Sequence, residues 1–370
     1  MSARHTYELE QLETAPIAEL LRSRTGGAAL LFPGHPSYAR VRYLWTDLPE
    51  GAAAFEEAAQ APVPDVELIA VPDVELRSDW MPYKDGAVIV SERVQPSYAR
   101  HFYEAGHIDL FGYPPSPKVR RARGPVFVVS HFNMRTYGHF LHEVLPRLLA
   151  VKRLHAAGWR FPIAFPRSLP AFTAMVRLTC PEMRLLEYAD DRERLAIGLA
   201  LMPSPMTSPT GQLHEAFVTG VKWLRDALVL AGREETPRRV FLSRKGLKSF
   251  RTLANEDELA AVAAEFGFVS LRPETLAWDD QVRLFAGAAH VAGEVSSALH
   301  NTLFCRPSAK VVGLNWAAGI QSPIAAAAGH EIGYLPAKDG VVTTFRPGWS
   351  ETQPFEIDPQ LFRERLSQTA

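Results

Sequence analysis

Between His131 and Leu149 the chain reads HFNMRTYGHFLHEVLPRLL, which sets His139, His142 and Glu143 within five residues of one another. On a helix, positions four apart share a face, so His139 and Glu143 come together there while Leu141, Val144, Leu145 and Leu148 turn inward. An imidazole supported by a carboxylate is suited to general-base chemistry. The plainer alternative is a histidine at a helix start that only hydrogen-bonds a loop.

Two further stretches carry chemistry. SRKGLKSFR, from Ser243, gathers Arg244, Lys245, Lys248 and Arg251 around a glycine. Guanidinium forks and ammonium charges in a turn are what a diphosphate needs, although the same residues also make a solvated basic loop. In GEVSSALHN, from Gly293, a strand ends in glycine and a helix is expected to begin at Ser296 and Ser297. Its open N–H groups and dipole would attract an anion, with the two hydroxyls as further donors, or one serine is simply the N-cap. Glu294 is placed to accept hydrogen bonds from ribose or sugar hydroxyls. His300 and Asn301 follow in the first turns, as contacts or as packed polar residues.

These residues need elements to hold them. VFVVS, from Val126, reads as a buried strand; FNMRTYG as a loop; and HFLHEVLPRLLAVKRLHAAG as an amphipathic helix closing at Gly158, with Pro146 kinking it or marking its true first turn. A helix ending at Gly232 is followed by REETPRR, charged and proline-broken, which sets the expected boundary: one domain over 1–232, with an irregular β-rich start and α/β character from about 126, and a second over 233–370. In that second part RVFLSR, FVSLRP, HVAG and KVVGLNW alternate with helical stretches, which predicts an α/β fold with right-handed crossovers and a mostly parallel sheet. Asn255 and Glu258 suggest a capping box, and Gly267 a helix stop. The ligand crevice of such a sheet lies beyond its carboxyl ends, where Arg244 and Glu294 stand. Nearer the start, VPDVEL occurs twice, at Val63 and Val71, each copy alternating like a half-buried strand. KVRRAR, from Lys118, reads as a solvated basic loop.

Composition excludes several classes. The chain has 370 residues, 47% of them hydrophobic, and a net charge of −1, which allows two globular domains and gives no support for nucleic-acid binding. Two cysteines far apart, Cys180 and Cys305, fit buried thiols in a reducing compartment. The first residues carry acids and lack the apolar core of a secretory signal, and no run is long enough to span a bilayer. The expectation is a cytoplasmic protein, at most peripheral to a membrane. Zinc-ligand spacing, the G-x-S-x-G elbow that a Ser297 hydrolase would want, the P-loop and G-x-G-x-x-G are all missing, so no metal ligand and no cofactor is assigned, and any divalent-metal requirement is left open.

NMRTYGHFLHEVLPRL, FLSRKGLKSFRTLANEDEL, FGFVSLRPETLAWDDQVRLFAGAAHVAG and SSALHNTLF, in that order, resemble glycosyltransferase family 61, including its bacterial capsular-polysaccharide-type members. The resemblance spans about Asn133 to Asn315. It implies a GT-B arrangement, two Rossmann-like domains facing across a cleft, the first on the acceptor side and the second holding a nucleotide-sugar donor. It implies an inverting transfer to a hydroxyl of a glycan or lipid-linked acceptor, in surface-polysaccharide biosynthesis. In that frame His139, supported by Glu143, takes the acceptor proton. Arg244, Lys245, Arg251, Glu294, Ser296, Ser297 and Asn301 hold the donor and receive the leaving diphosphate. Many relatives carry His-Gly where this chain has Val295 and Ser296, a departure that favours the alternative of a non-catalytic sugar- or nucleotide-binding subunit of a polysaccharide assembly system.

Overall fold

The computed structural model describes residues 6–7, 9, 12–23, 25–36, 41–96, 98–104, 118–230, 236–247, 251–316, 320–339 and 353–369. Lys248, Gly232 and the first three residues of REETPRR lie outside them, as does the side chain of Arg251. The chain forms two compact units, Met1–His35 with Val63–Pro209, and Pro36–Pro62 with Thr210–Ala370.

The first unit is built on a mixed sheet. Its long strands are β1 (Val66–Leu76), β2 (Lys118–Val128), β3 (Ile163–Pro166), β4 (Leu185–Tyr188) and β5 (Glu193–Pro203), in the spatial order β1–β5–β2–β3–β4. β5 is antiparallel to β1 and parallel to β2, and β2, β3 and β4 are parallel in turn. From β2 the chain steps outward to β3 and β4 and then returns to the other side of β2 as β5. The order therefore reverses between β2 and β5, the position at which open α/β sheets bind ligands, outside the carboxyl ends of the strands. Val126, Val128, Ala164, Leu195 and Ile197 are buried in the core of this sheet.

Both VPDVEL copies run into one strand. The first supplies the entry to β1 from Val66, and the second lies wholly inside it. Pro72 has no N–H to give a neighbour. Along that edge Gly27–Phe32 pairs only up to Ala70 and Pro82–Lys84 only from Val74, so the proline falls in the gap between them. KVRRAR departs from the expected loop: it is the first half of β2, paired with β5 from Glu193↔Lys118 to Ile197↔Ala122. Backbone pairing with β5 makes it a strand, while Lys118, Arg121 and Arg123 remain exposed.

In the second unit β6 (Arg239–Leu242), β7 (Val269–Leu271), β8 (His290–Glu294), β9 (Lys310–Asn315) and β10 (Glu331–Pro336) form a fully parallel sheet in the order β7–β6–β8–β9–β10, edged by Arg42–Tyr43. Here too the chain steps outward once, from β6 to β7, then crosses back to β8. The reversal lies between β6 and β8. The helix Glu215–Leu230 belongs to this unit, because Phe217, Val218, Val221 and Leu224 bury their side chains and Arg225 Nη1 donates to Cys305 O at 3.2 Å. The compact division thus falls at Pro209/Thr210, ahead of the charged stretch that the sequence marks.

Gly267, at φ +77°, ends the helix Glu256–Glu265 as expected. The capping box does not form: the Asn255 amide binds Ile357 through both its oxygen and its nitrogen, and makes no hydrogen bond to the helix N–H groups. Cys180 and Cys305 are buried free thiols. Among the described residues no helix is long and apolar enough to cross a membrane.

Candidate active site

The first cluster sits just past the carboxyl end of β2, at the reversal of strand order. Its helix does not run straight. Tyr137–His139 is helical, Phe140–Val144 makes a wide π turn closed by Leu145 N donating to Phe140 O, and an α-helix follows from Leu145 to Ala156. Pro146 is the cause. It lacks the N–H that would bind His142 O four residues back, and its ring crowds that carbonyl. The freed His142 oxygen is taken by the Thr207 hydroxyl at 3.1 Å, from the loop after β5. Pro146 thus occupies the first α turn and also widens the turn before it.

Three imidazoles then surround one carboxylate. Glu143 Oε1 lies 3.7 Å from His139 Nδ1 and 3.4 Å from His142 Nδ1, and Oε2 lies 3.7 Å from His131 Nε2. The His131 and His139 rings stack at 5.6 Å between centroids. From the helix Tyr98–Glu104 the Tyr98 hydroxyl donates to Glu143 Oε1 at 2.5 Å. Arg147, one turn on and fully buried, donates from Nη1 to Ser130 O at 3.0 Å and from Nη2 to Val94 O at 2.5 Å. It ties together the loop after β2, the site helix and the turn before Tyr98.

Burial opposes every charge here. It pushes the Glu143 carboxyl up, but the surrounding His131, His139 and His142 rings outweigh it and hold the group well below the usual carboxylate range. Burial lowers His131 to about 3 against the pull of Glu143, and lowers Arg147 to about 10. Tyr98 is held well above its ordinary value by burial and then by the Glu143 charge. At neutral pH the cluster therefore contains one anion, one buried cation, a neutral His131 and a protonated tyrosine. The His139 side chain is 26% exposed, against 13% for His142 and 0% for His131, so His139 is the imidazole most open to a substrate. His139, His142 and Glu143 present three donor atoms within 4.8 Å of one another, close enough to share a divalent ion.

The second site lies at the reversal between β6 and β8. Gly293 is needed there, since a Cβ would stand 2.7 Å from Leu242 Cβ. Just beyond, Arg244 Nε pairs with Glu294 Oε2 at 3.4 Å, beside a cavity of about 180 Å³ whose lining includes Lys245, Leu247, Thr252, Glu256 and Asp257. Glu256 accepts from the Ser243 hydroxyl and from Arg244 N, so the helix start holds the strand tip. Lys245 Nζ lies 2.8 Å from Asp257 Oδ2 on the surface. The two cations of this stretch whose side chains are described thus each face a carboxylate. The hollow presents both hydrogen-bond donors and acceptors, a lining suited to a polyol as much as to a phosphate.

Residues 137–312 match the family described as Glycosyltransferase 61. This stretch belongs to glycosyltransferase family 61. No curated protein matches the chain. The match indicates glycosyltransferase activity, and the mixed α/β sheets fit the Rossmann-like build of such enzymes.

Within the glycosyltransferase stretch the structure brings His139 and Glu143 together, and Arg244 with Glu294. It places the other sequence candidates differently. The helix expected from Ser296 is a short 3₁₀ segment, Leu299–Phe304, entered by a turn, because Asn301 and Thr302 fold their side chains back onto Ala298 O and Leu299 O. Six residues of 3₁₀ helix do not supply the dipole of a long α-helix. Ser296 is buried with its hydroxyl lacking a hydrogen-bond partner among the described residues, while Ser297 is half-buried. Asn301 is fully buried, with Nδ2 also 3.5 Å from Gln281 Oε1. Val295 is buried, 2.8 Å from where a Cβ at Gly313 would stand, so position 295 faces the core. Arg251 opens the short strand Arg251–Leu253.

Sequence reasoning gave no role to Tyr98, His131, Arg147 or Thr207. His131 stood in the stretch that drew attention, with a loop between it and the helix. Tyr98 sits 33 residues upstream of His131, and spacing gives no sign that the two meet.

Proposed function

We propose that the protein is an inverting glycosyltransferase that moves a sugar from a nucleotide-sugar donor to a hydroxyl of a glycan or lipid-linked acceptor, in the assembly of a surface polysaccharide. The observation that supports it best is the Glu143 cluster, in which an ionised, buried carboxylate stands behind a histidine that is partly open. His139 would take the acceptor proton as the new bond forms at the anomeric carbon, and Glu143 would stabilise the imidazolium that results. On this reading the first unit carries the acceptor side of a GT-B enzyme and the second the donor side.

The donor would occupy the crevice between β6 and β8, with its ribose or sugar hydroxyls on Glu294 and its diphosphate on Arg244. Lys245 and Arg251 would add charge, and Ser296, Ser297 and Asn301 would serve the same end of the sheet. Arg244 would exchange part of its contact with Glu294 for the diphosphate as the leaving group gains charge.

A nucleotide-sugar panel read by thermal shift tests this, since a ligand that binds only the folded state raises the midpoint. One donor is expected to raise it and to be turned over. Arg244→Ala should then lose about 2–4 kcal/mol of transition-state stabilisation, the scale of one lost oxyanion donor. Unchanged turnover in Arg244→Ala would remove the donor assignment, and binding without turnover by the wild type would make the chain a binding subunit.

A further inference from the structure

We propose that Tyr98 fixes which ring nitrogen of His139 carries the proton, leaving Nε2 as the atom that receives the proton of the acceptor hydroxyl. The catalytic half of this rests on the glycosyl-transfer reading above. The tautomer half stands on hydrogen bonds alone.

The Tyr98 oxygen has three close polar neighbours: Glu143 Oε1 at 2.5 Å, His139 Nδ1 at 3.0 Å and His131 Nε2 at 3.3 Å. A phenol has one proton to give and lone pairs with which to accept. Glu143, ionised, can only accept, so the shortest contact consumes the tyrosine proton. Both remaining contacts must be accepted by the oxygen, which requires an N–H on each imidazole. For His131 a separate bond gives the same answer, because its Nδ1 accepts from Asn133 N at 3.2 Å and the ring proton is left on Nε2. His139 therefore carries its proton on Nδ1. A neutral imidazole has one such proton, so His139 Nε2 holds a lone pair. One hydroxyl sets opposite tautomers in two stacked rings, of which only His139 is reachable.

The step balances. The acceptor O–H bond breaks and its proton goes to His139 Nε2. The oxygen forms its bond to the anomeric carbon as the bond from that carbon to the diphosphate oxygen breaks, and the electron pair leaves with the nucleotide. The imidazolium keeps its Nδ1–H, still donated to the Tyr98 oxygen, and the phenol keeps its own proton, still donated to the Glu143 carboxylate. Without the hydroxyl, Glu143 Oε1 is 3.7 Å from Nδ1, beyond hydrogen-bond reach, and among the described residues no other hydrogen bond fixes the ring proton. Tyr98 is thus a positioning residue, and it lies outside the family match at 137–312.

The test is ¹⁵N NMR of the full chain with labelled histidine, assigned through His139→Gln, in the neutral-imidazole range. Wild type should show His139 protonated on Nδ1, Tyr98→Phe should lose that preference, and His131→Asn, which spares the bond between Tyr98 and His139, should keep it. With the donor identified, Tyr98→Phe should lower kcat roughly 10- to 100-fold with donor KM unchanged, less than the roughly 10²–10⁴-fold worth of a general base. His139 protonated on Nε2 in wild type, or a tautomer indifferent to Tyr98→Phe, overturns the proposal whether or not any nucleotide sugar is turned over. A changed tautomer with unchanged kcat overturns its catalytic half. Absence of turnover with every donor would count against the glycosyl-transfer reading and leave the tautomer result to decide the role of Tyr98.

Discussion

His131 offers a pH test that needs no substrate. Its side chain is 0% exposed, and burial lowers it from 6.5 to about 3. The folded protein therefore keeps this ring neutral at pH values where the unfolded chain protonates it. Below about 6.5 the unfolded state binds a proton that the fold refuses, so stability falls as pH drops through the window from about 6.5 to about 3, at about 1.4 kcal/mol per pH unit. His131→Asn removes the titrating ring while its amide oxygen can still accept the Asn133 N–H. The variant should be less stable at every pH, having lost packing against Phe132, whose ring centroid lies 4.4 Å away. Its pH dependence is the diagnostic. Between pH 7.5 and 4.5 the wild type should lose about 2.5 kcal/mol more than the variant, the linkage of one proton across two units below 6.5. Urea midpoints and slopes at the two pH values measure this, and titrating groups that do not interact with His131 cancel in the difference. Parallel stability curves for the two proteins would refute the claim that His131 is held neutral.

Other outcomes follow from the same contacts. Arg147→Met removes the donors to Ser130 O and Val94 O, and two charge-assisted bonds at about 1.5–3 kcal/mol each, less the returned cost of burying the guanidinium, should lower stability by about 3 kcal/mol in urea denaturation; an unchanged midpoint contradicts the tie. Pro146→Ala restores an N–H opposite His142 O, so the π turn should tighten, with the thermal midpoint held or raised and turnover lowered; full turnover would show that the wide turn is incidental. Gly293→Ala drives a Cβ against Leu242 and should cost about 1–3 kcal/mol together with nucleotide affinity; wild-type stability would mean that the strands part freely.

The second unit was the more legible in sequence. Its strands are short apolar runs closed by Arg244, Glu294 and Asn315, and a parallel sheet gives each carboxyl end the same side, so the strand pattern alone put Arg244 and Glu294 on one rim. The helix from Ser296 failed because periodicity records which residues are apolar but not whether Asn301 and Thr302 will turn back on their own backbone. KVRRAR failed because charge masked a backbone that pairs with β5. In the first unit His139 and Glu143 were legible from their four-residue spacing. Tyr98 and Arg147 were not, since their contacts are tertiary: Tyr98 reaches Glu143 from a helix of another segment, and Arg147 binds Ser130 O in the loop after β2 and Val94 O.

The account turns on the most exposed imidazole of the cluster, His139, backed by one ionised carboxylate. Single-turnover sugar transfer by wild type and His139→Ala, with the donor found by the nucleotide-sugar panel, tests it most directly. Donor binding should be unchanged, and the transfer step should slow by roughly 10²–10⁴-fold, the worth of a general base. Transfer by His139→Ala at the wild-type rate would contradict it.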